Sequence, residues 1–203
     1  MLFAQLMLVA GLATGATADS AGRARATAAP SDSSAVVHTK RSVVSVVHTA
    51  GKLPRALPPL TPGSVDSVVV EKSERRLTLF VAGQAVRSYR VALGQNPVGA
   101  KRVQGDSRTP EGLYVIDRRN ENSKYFRSLH ISYPNAIDRF LASEKGYTAG
   151  GDVMVHGLAP EFADQGATHW KNDWTEGCVA ISNEQMMEMW DAVADGTPIR
   201  IKP

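Results

Sequence analysis

SVVVEKSERRLTLFVAGQAVRSYRVALG, residues 67–94, is the stretch whose reading decides the fold. Three runs rich in β-branched and aromatic residues (68–71, 76–81 and 85–92) are separated by short breaks at 72–75 and 82–84. That spacing predicts three strands joined by turns. Within 76–80, Leu77 and Leu79 alternate with more polar positions, the pattern of a half-buried strand.

Toward the C-terminus the same texture continues. Thr109-Pro110-Glu111-Gly112 predicts a turn, because proline presets φ early and glycine permits positive φ later. A strand is expected at 113–116. Residues 135–145 predict a short helix, with Asn135 as N-cap and Gly146 as stop. DVMVH (152–156) predicts another strand. Ser182 or Asn183 caps a last helix whose Met186, Trp190 and Val193 share one face, with Gly196 as its end. Residues 198–202 return as a final strand. The sum is a mainly β domain with short helices, of the α+β class and mostly antiparallel, over residues 66–203.

Toward the N-terminus the composition shifts. Residues 19–65 are rich in Ala, Ser, Thr and Pro and read as a linker. VVHT occurs twice there, at 36–39 and 46–49, and two copies do not make a repeat architecture. His38 and His48 are assigned no chemistry. Residues 1–18 are apolar and end in Ala16-Thr17-Ala18, the pattern of a cleaved secretory signal, although no Lys or Arg precedes the apolar run. The alternative is an uncleaved membrane anchor, but the glycines within the run make a poor span, so a cleaved signal is expected, with no stable span after cleavage. No cysteine near residue 18 offers a lipid anchor. The expected location is outside the cytoplasm, in the periplasm or cell wall.

The whole chain has 203 residues, 43% of them hydrophobic, enough for a real core. A net charge of +3 with scattered Lys and Arg gives no nucleic-acid footprint. One cysteine in the chain excludes an intramolecular disulfide and a Cys-rich zinc site.

That cysteine, Cys178, lies in DWTEGCVAIS (173–182). A lone cysteine by itself reads as a small buried hydrophobe. With a histidine partner it reads as a nucleophile, since a free thiol with its pKa near ~8.5 needs a base at neutral pH. His156 ends an apolar strand before Gly157 and is the first candidate; His169 in GATHWKND, read as an exposed loop, is the second. Gly177 allows a tight turn, and the Gly177 and Cys178 N–H groups are candidate oxyanion donors. A metal site from His156, His169 and Asp173 lacks any i, i+4 histidine pair.

VHG (155–157) and WTEGCVAISNEQM (174–186), with the strand-rich start and the RTPEG turn, resemble the YkuD-type L,D-transpeptidase domain over residues 66–203. Thr175, Gly177, Cys178 and Val179 match its motif, and His156 matches its base. Glu176 replaces the motif's second histidine, Ala180 replaces the usual Arg or Asn, and eighteen residues separate His156 from Thr175. These departures, together with SYPN at 132–135, resemble the YafK-like branch.

The resemblance implies a YkuD-like β-sandwich catalytic domain acting on peptidoglycan stem peptides, with no metal or cofactor. Cys178 would attack the carbonyl at the L-centre of a diaminopimelate-like residue and hold the acyl group as a thioester. An amine acceptor gives L,D-transpeptidation; water gives hydrolysis, as an L,D-carboxypeptidase or in release of wall-bound peptide. Gly157 would orient His156 through its carbonyl, and Thr175 belongs to the motif. Glu176 has two readings, repulsion of the thiolate or capture of a substrate ammonium. Trp174, Asp173, Arg108, Tyr133 and His130 are further candidates for substrate contact, each with an ordinary structural alternative. The altered motif also admits a wall-binding module with a decayed site. Trp170, Thr109, Pro110 and Gly112 read as packing or fold markers.

Overall fold

The computed structural model describes residues 59–203. The proposed signal and most of the linker lie outside the described residues. Eight strands are β1 (Ser67–Glu71), β2 (Arg76–Val81), β3 (Gln84–Arg90), β4 (Gly112–Ser123), β5 (Phe126–Ile131), β6 (Met154–His156), β7 (Val179–Ala180) and β8 (Pro198–Lys202). Two α-helices, α1 (Ala136–Ser143) and α2 (Asn183–Ala192), and two 3-10 turns (Pro160–Gln165 and His169–Lys171) complete the domain. Among the described residues no helix is long and apolar enough to cross a membrane.

The strands follow one order, β3-β2-β1-β8-β4-β5-β6-β7. The layers of the expected sandwich are two limbs of this order joined through β4. Gly112–Val115 of β4 pairs with β8, and the remainder of β4 pairs with β5. Most pairings are antiparallel; β1 with β8 and β6 with β7 are parallel. Beyond β3 the chain bridges back to the far edge: Ala92 and Ala180 exchange backbone bonds at 3.0 and 2.9 Å, and Gly94 bridges to Thr175. The two edges of the order therefore meet beside Cys178.

β2 is more buried than alternation predicts. Thr78 and Phe80 are as enclosed as Leu77 and Leu79, because both faces of the strand are covered. β4 runs far past the expected 113–116 and forms a long hairpin with β5, which the sequence hid behind exposed Arg and Asn side chains. Both helices begin where expected. Asn135 and Ser182 each accept from the third helical N–H, and Asp138 and Gln185 reach back to complete capping boxes. Helix α2 ends at Val193, ahead of Gly196, and buries Met186, Met189, Trp190 and Ala192. The folded chain also starts before residue 66. Val65 is buried, its N–H donates to Ala192 O, and Leu60 packs against the core, so the last residues assigned to the linker belong to the domain.

Two buried lysines pin the long loop between β3 and β4. Lys72 donates to Gly99 O, Thr109 O and Glu111 Oε1 at 2.6, 3.2 and 2.7 Å, which uses all three of its protons. Lys101 pairs with Asp106 inside the same loop. Lys72→Met should strand these acceptors and lower the unfolding free energy by about 3 kcal/mol. Urea unfolding checks this; a loss below about 1 kcal/mol would show that water replaces the lysine at little cost.

Candidate active site

The nucleophile and base candidates are brought together by strand register. The parallel β6–β7 pair sets Val155 beside Val179 and His156 beside Ala180, so Cys178, one residue before Val179, lies next to the 154–156 strand. Ile181 N–H to His156 O at 2.9 Å extends the pairing. Asn183 at the start of α2 accepts from Leu158 N–H at 2.7 Å, which ties the segment after His156 to the helix after Cys178. Twenty-two positions of sequence thus collapse into one cleft of about 480 Å³, lined by Cys178, His156, Trp174, Thr175, Glu176 and the Tyr125 region of the β4–β5 hairpin.

The Cys178 turn is shaped by close backbone approach. Gly177 has φ +131°, and a Cβ built there would lie 2.5 Å from Arg108 O, so no side chain fits. Thr175 Oγ1 donates to Cys178 O at 2.8 Å and accepts from Gly177 N–H at 3.1 Å. This corrects the expected pair of oxyanion donors. The Gly177 N–H is committed to Thr175, whereas the Cys178 N–H has no acceptor among the described residues. Thr175 is the brace of the turn, and Cys178 N–H is the donor left over.

His156 is 3% exposed, and its Nδ1–H donates to Gly157 O at 2.7 Å. That bond places the ring proton on Nδ1 and leaves Nε2 as the basic atom. Tyr125 stacks on the imidazole at 4.5 Å, and the edge of Trp174 meets it at 5.7 Å. Burial drives the His156 pKa down to about 4, with smaller downward pushes from His169 and Lys124 opposing the Gly157 bond. Burial also raises the Cys178 thiol, with Asp152 and Glu176 adding to it and the Met154 backbone and Lys101 pulling it down. The thiol itself donates to Asp152 O at 3.7 Å. Both shifts favour the uncharged forms, neutral thiol and neutral imidazole.

Four candidates for substrate contact fall elsewhere. Asp173 forms a forked pair with Arg75 (3.0 and 2.7 Å to Oδ2) and accepts from Leu93 N–H, so it anchors chain rather than substrate. Tyr133 is 2% exposed and donates to Ala149 O in the core. His130 Nδ1 bonds Asp117 Oδ1 at 2.6 Å and lines a neighbouring cavity that does not include Cys178. Arg108 supplies its backbone to the Gly177 contact, and its guanidinium lies toward Gly99. Trp174 and Glu176 do line the cleft. His169, expected on an exposed loop, is buried on a 3-10 turn and lines a second cavity of about 570 Å³ beyond Trp174. Among the described residues no cluster of three His, Cys, Asp or Glu is disposed to hold a metal.

Cleft-lining residues missed from sequence include Asp152 and Met154 beside Cys178, and Tyr125, Lys124 and Asn120 from the hairpin. The last three reach the cleft because the β4–β5 hairpin brings them there, and no local motif marks that hairpin.

The YkuD L,D-transpeptidase catalytic domain profile matches residues 66–201. The chain belongs to the L,D-transpeptidase catalytic domain family. YafK of Escherichia coli K12, a provisionally assigned L,D-transpeptidase, is 29% identical over 137 residues, covering 64% of this chain and 48% of that protein. YafK of Escherichia coli O157:H7 matches with the same identity and coverage. The helical cell shape determining protein Pgp2 of Campylobacter jejuni shares the fold with a TM-score of 0.51 at 21% identity, over 71% of this chain and 51% of that one. The chain thus spans about half the length of these relatives.

A buried neutral histidine sets a pH dependence of stability. The folded His156 value lies near 4, below the ordinary 6.5, so between these values the unfolded chain takes up a proton that the folded chain refuses. Unfolding free energy should therefore fall as pH drops from about 6.5 to 4, by about 3 kcal/mol from His156, with His169 acting in the same direction. Urea unfolding of wild type and His156→Gln across this window checks it. The variant should lose most of the slope; identical slopes would place the imidazole in solvent contact.

Proposed function

We propose that this domain performs cysteine-dependent acyl transfer on peptidoglycan stem peptides, in the manner its family name describes. The observation that carries the reading is the junction of Cys178 with a tautomer-fixed, buried His156 in one cleft. Cys178 Sγ attacks the carbonyl at the L-centre of a diaminopimelate-like residue as its proton passes to His156 Nε2. Cys178 N–H supports the oxyanion. The carbon–nitrogen bond to the following D-residue then breaks, His156 returns the proton to the leaving amine, and a thioester remains. A second amine, deprotonated by His156, takes the acyl group and restores the thiol. Export to the periplasm or wall would bring the domain to this substrate.

A hydrolytic outcome has one observation in its favour. Glu176, in place of the motif's second histidine, is exposed on the cleft lining, where a carboxylate suits a bound water as well as a substrate ammonium.

Mass spectrometry of muropeptides after incubation of the protein with intact sacculi tests the reading, with Cys178→Ala as control. New cross-linked dimers absent from the control are expected. Trimmed stems without dimers would make water the acceptor. No change with either protein would overturn acyl transfer.

A further inference from the structure

Lys101 is a buried cation that the mechanism above does not use. Its side chain is 5% exposed, and its ammonium pairs with Asp106 Oδ1 at 2.8 Å and reaches Val103 O at 3.3 Å. Unlike Lys72, whose three protons have three acceptors, Lys101 keeps one proton without an acceptor among the described residues. Its counter-ion is heavily shared. Asp106 also accepts from Arg102, Val103 and Arg108 N–H at 2.7, 3.1 and 3.1 Å. Burial alone would raise the Asp106 pKa, but these hydrogen bonds and the one from Lys101 hold it below the ordinary value. The carboxylate charge is thus spread over several donors, and the field of the lysine is incompletely cancelled on its other side.

That other side is the nucleophile turn. A Cβ built on Gly177 would lie 3.9 Å from Lys101 Nζ, so the ammonium sits directly behind the Gly177–Cys178 peptide. The same turn lies against Arg108 O, two residues from Asp106, so the loop that holds the lysine also carries the turn.

We propose that Lys101 is a positioning residue that places a fixed positive charge behind the Gly177–Cys178 turn and stabilises both the Cys178 thiolate and the oxyanion formed at Cys178 N–H. A filler in a purely structural role would more simply be apolar, because a buried ion pair adds little net stability. The charge is useful because the other influences on Cys178 are adverse. Burial, Asp152 and Glu176 all disfavour the thiolate, and only the Met154 backbone and Lys101 favour it. His156 is neutral above its depressed pKa and adds no charge there. The expected second histidine of the motif is absent, so no cation arises from that position.

The proposal rests on the acyl-transfer reading, but its test needs no peptidoglycan. Cys178 is the chain's one cysteine, so iodoacetamide alkylation of the full chain, followed by intact mass against pH, reports its thiolate alone. Lys101→Met should raise the alkylation midpoint by about one pH unit and slow the reaction at neutral pH about tenfold. Lys101→Arg, which keeps the charge, should stay within about threefold of wild type. Circular dichroism establishes that each variant is folded. A folded Lys101→Met with an unchanged midpoint would overturn the proposal. Should that variant not fold, Asp106→Asn decides: removing the counter-ion should lower the midpoint, and a midpoint that rises or stays fixed would overturn the proposal.

Discussion

The contact between Gly177 and the carbonyl of Arg108 governs the site. A side chain at Gly177 would collide with backbone, so the turn before Cys178 can press flat against the 107–109 segment only as glycine. Once pressed there, Thr175 closes the turn through its hydroxyl, and the Cys178 N–H is left without an acceptor among the described residues. Both edges of the strand order converge on this place, through Ala92 with Ala180 and Gly94 with Thr175. Cys178 is therefore held by the Thr175 hydroxyl and by main-chain hydrogen bonds of the flanking segments on two sides.

Burial then sets the chemistry. The imidazole is stacked on Tyr125 and flanked edgewise by Trp174; the bond to its neighbour's carbonyl selects the tautomer, and burial keeps the ring uncharged at neutral pH. The half-buried Cys178 thiol is held toward its neutral form by desolvation and by the Asp152 and Glu176 carboxylates. The motif position held by Glu176 brings negative charge to the rim, which makes any fixed positive charge behind Cys178 more consequential.

The parts of this arrangement that were readable from sequence share one property: their signals are local. The β1–β3 strands, both helix caps and the WTEGC segment each carry their cause within a few residues, whereas the turn expected at 109–112 is extended chain leading into β4 at Gly112. The misread residues have causes far along the chain. Asp173 looked like part of the motif, yet its partner Arg75 is 98 positions away. Tyr133 and His130 are claimed by partners the local sequence does not show, Ala149 and Asp117. The β4–β5 hairpin escaped because its exposed faces lack apolar alternation, and with it went Tyr125, the ring that covers the base. Gly177 was rightly taken as required by the turn, but its N–H was assigned to substrate when a side chain two residues earlier already held it.

The central claim is that Cys178 carries the acyl group while His156 moves the proton. Intact mass spectrometry of the protein, acid-quenched within milliseconds to seconds of mixing with a disaccharide tetrapeptide, measures it most directly. The account predicts a transient mass increase equal to the acyl fragment without its terminal D-residue, located on Cys178, absent in Cys178→Ala and greatly slowed in His156→Gln. Product that accumulates with no adduct, and at the same rate in Cys178→Ala, would contradict it.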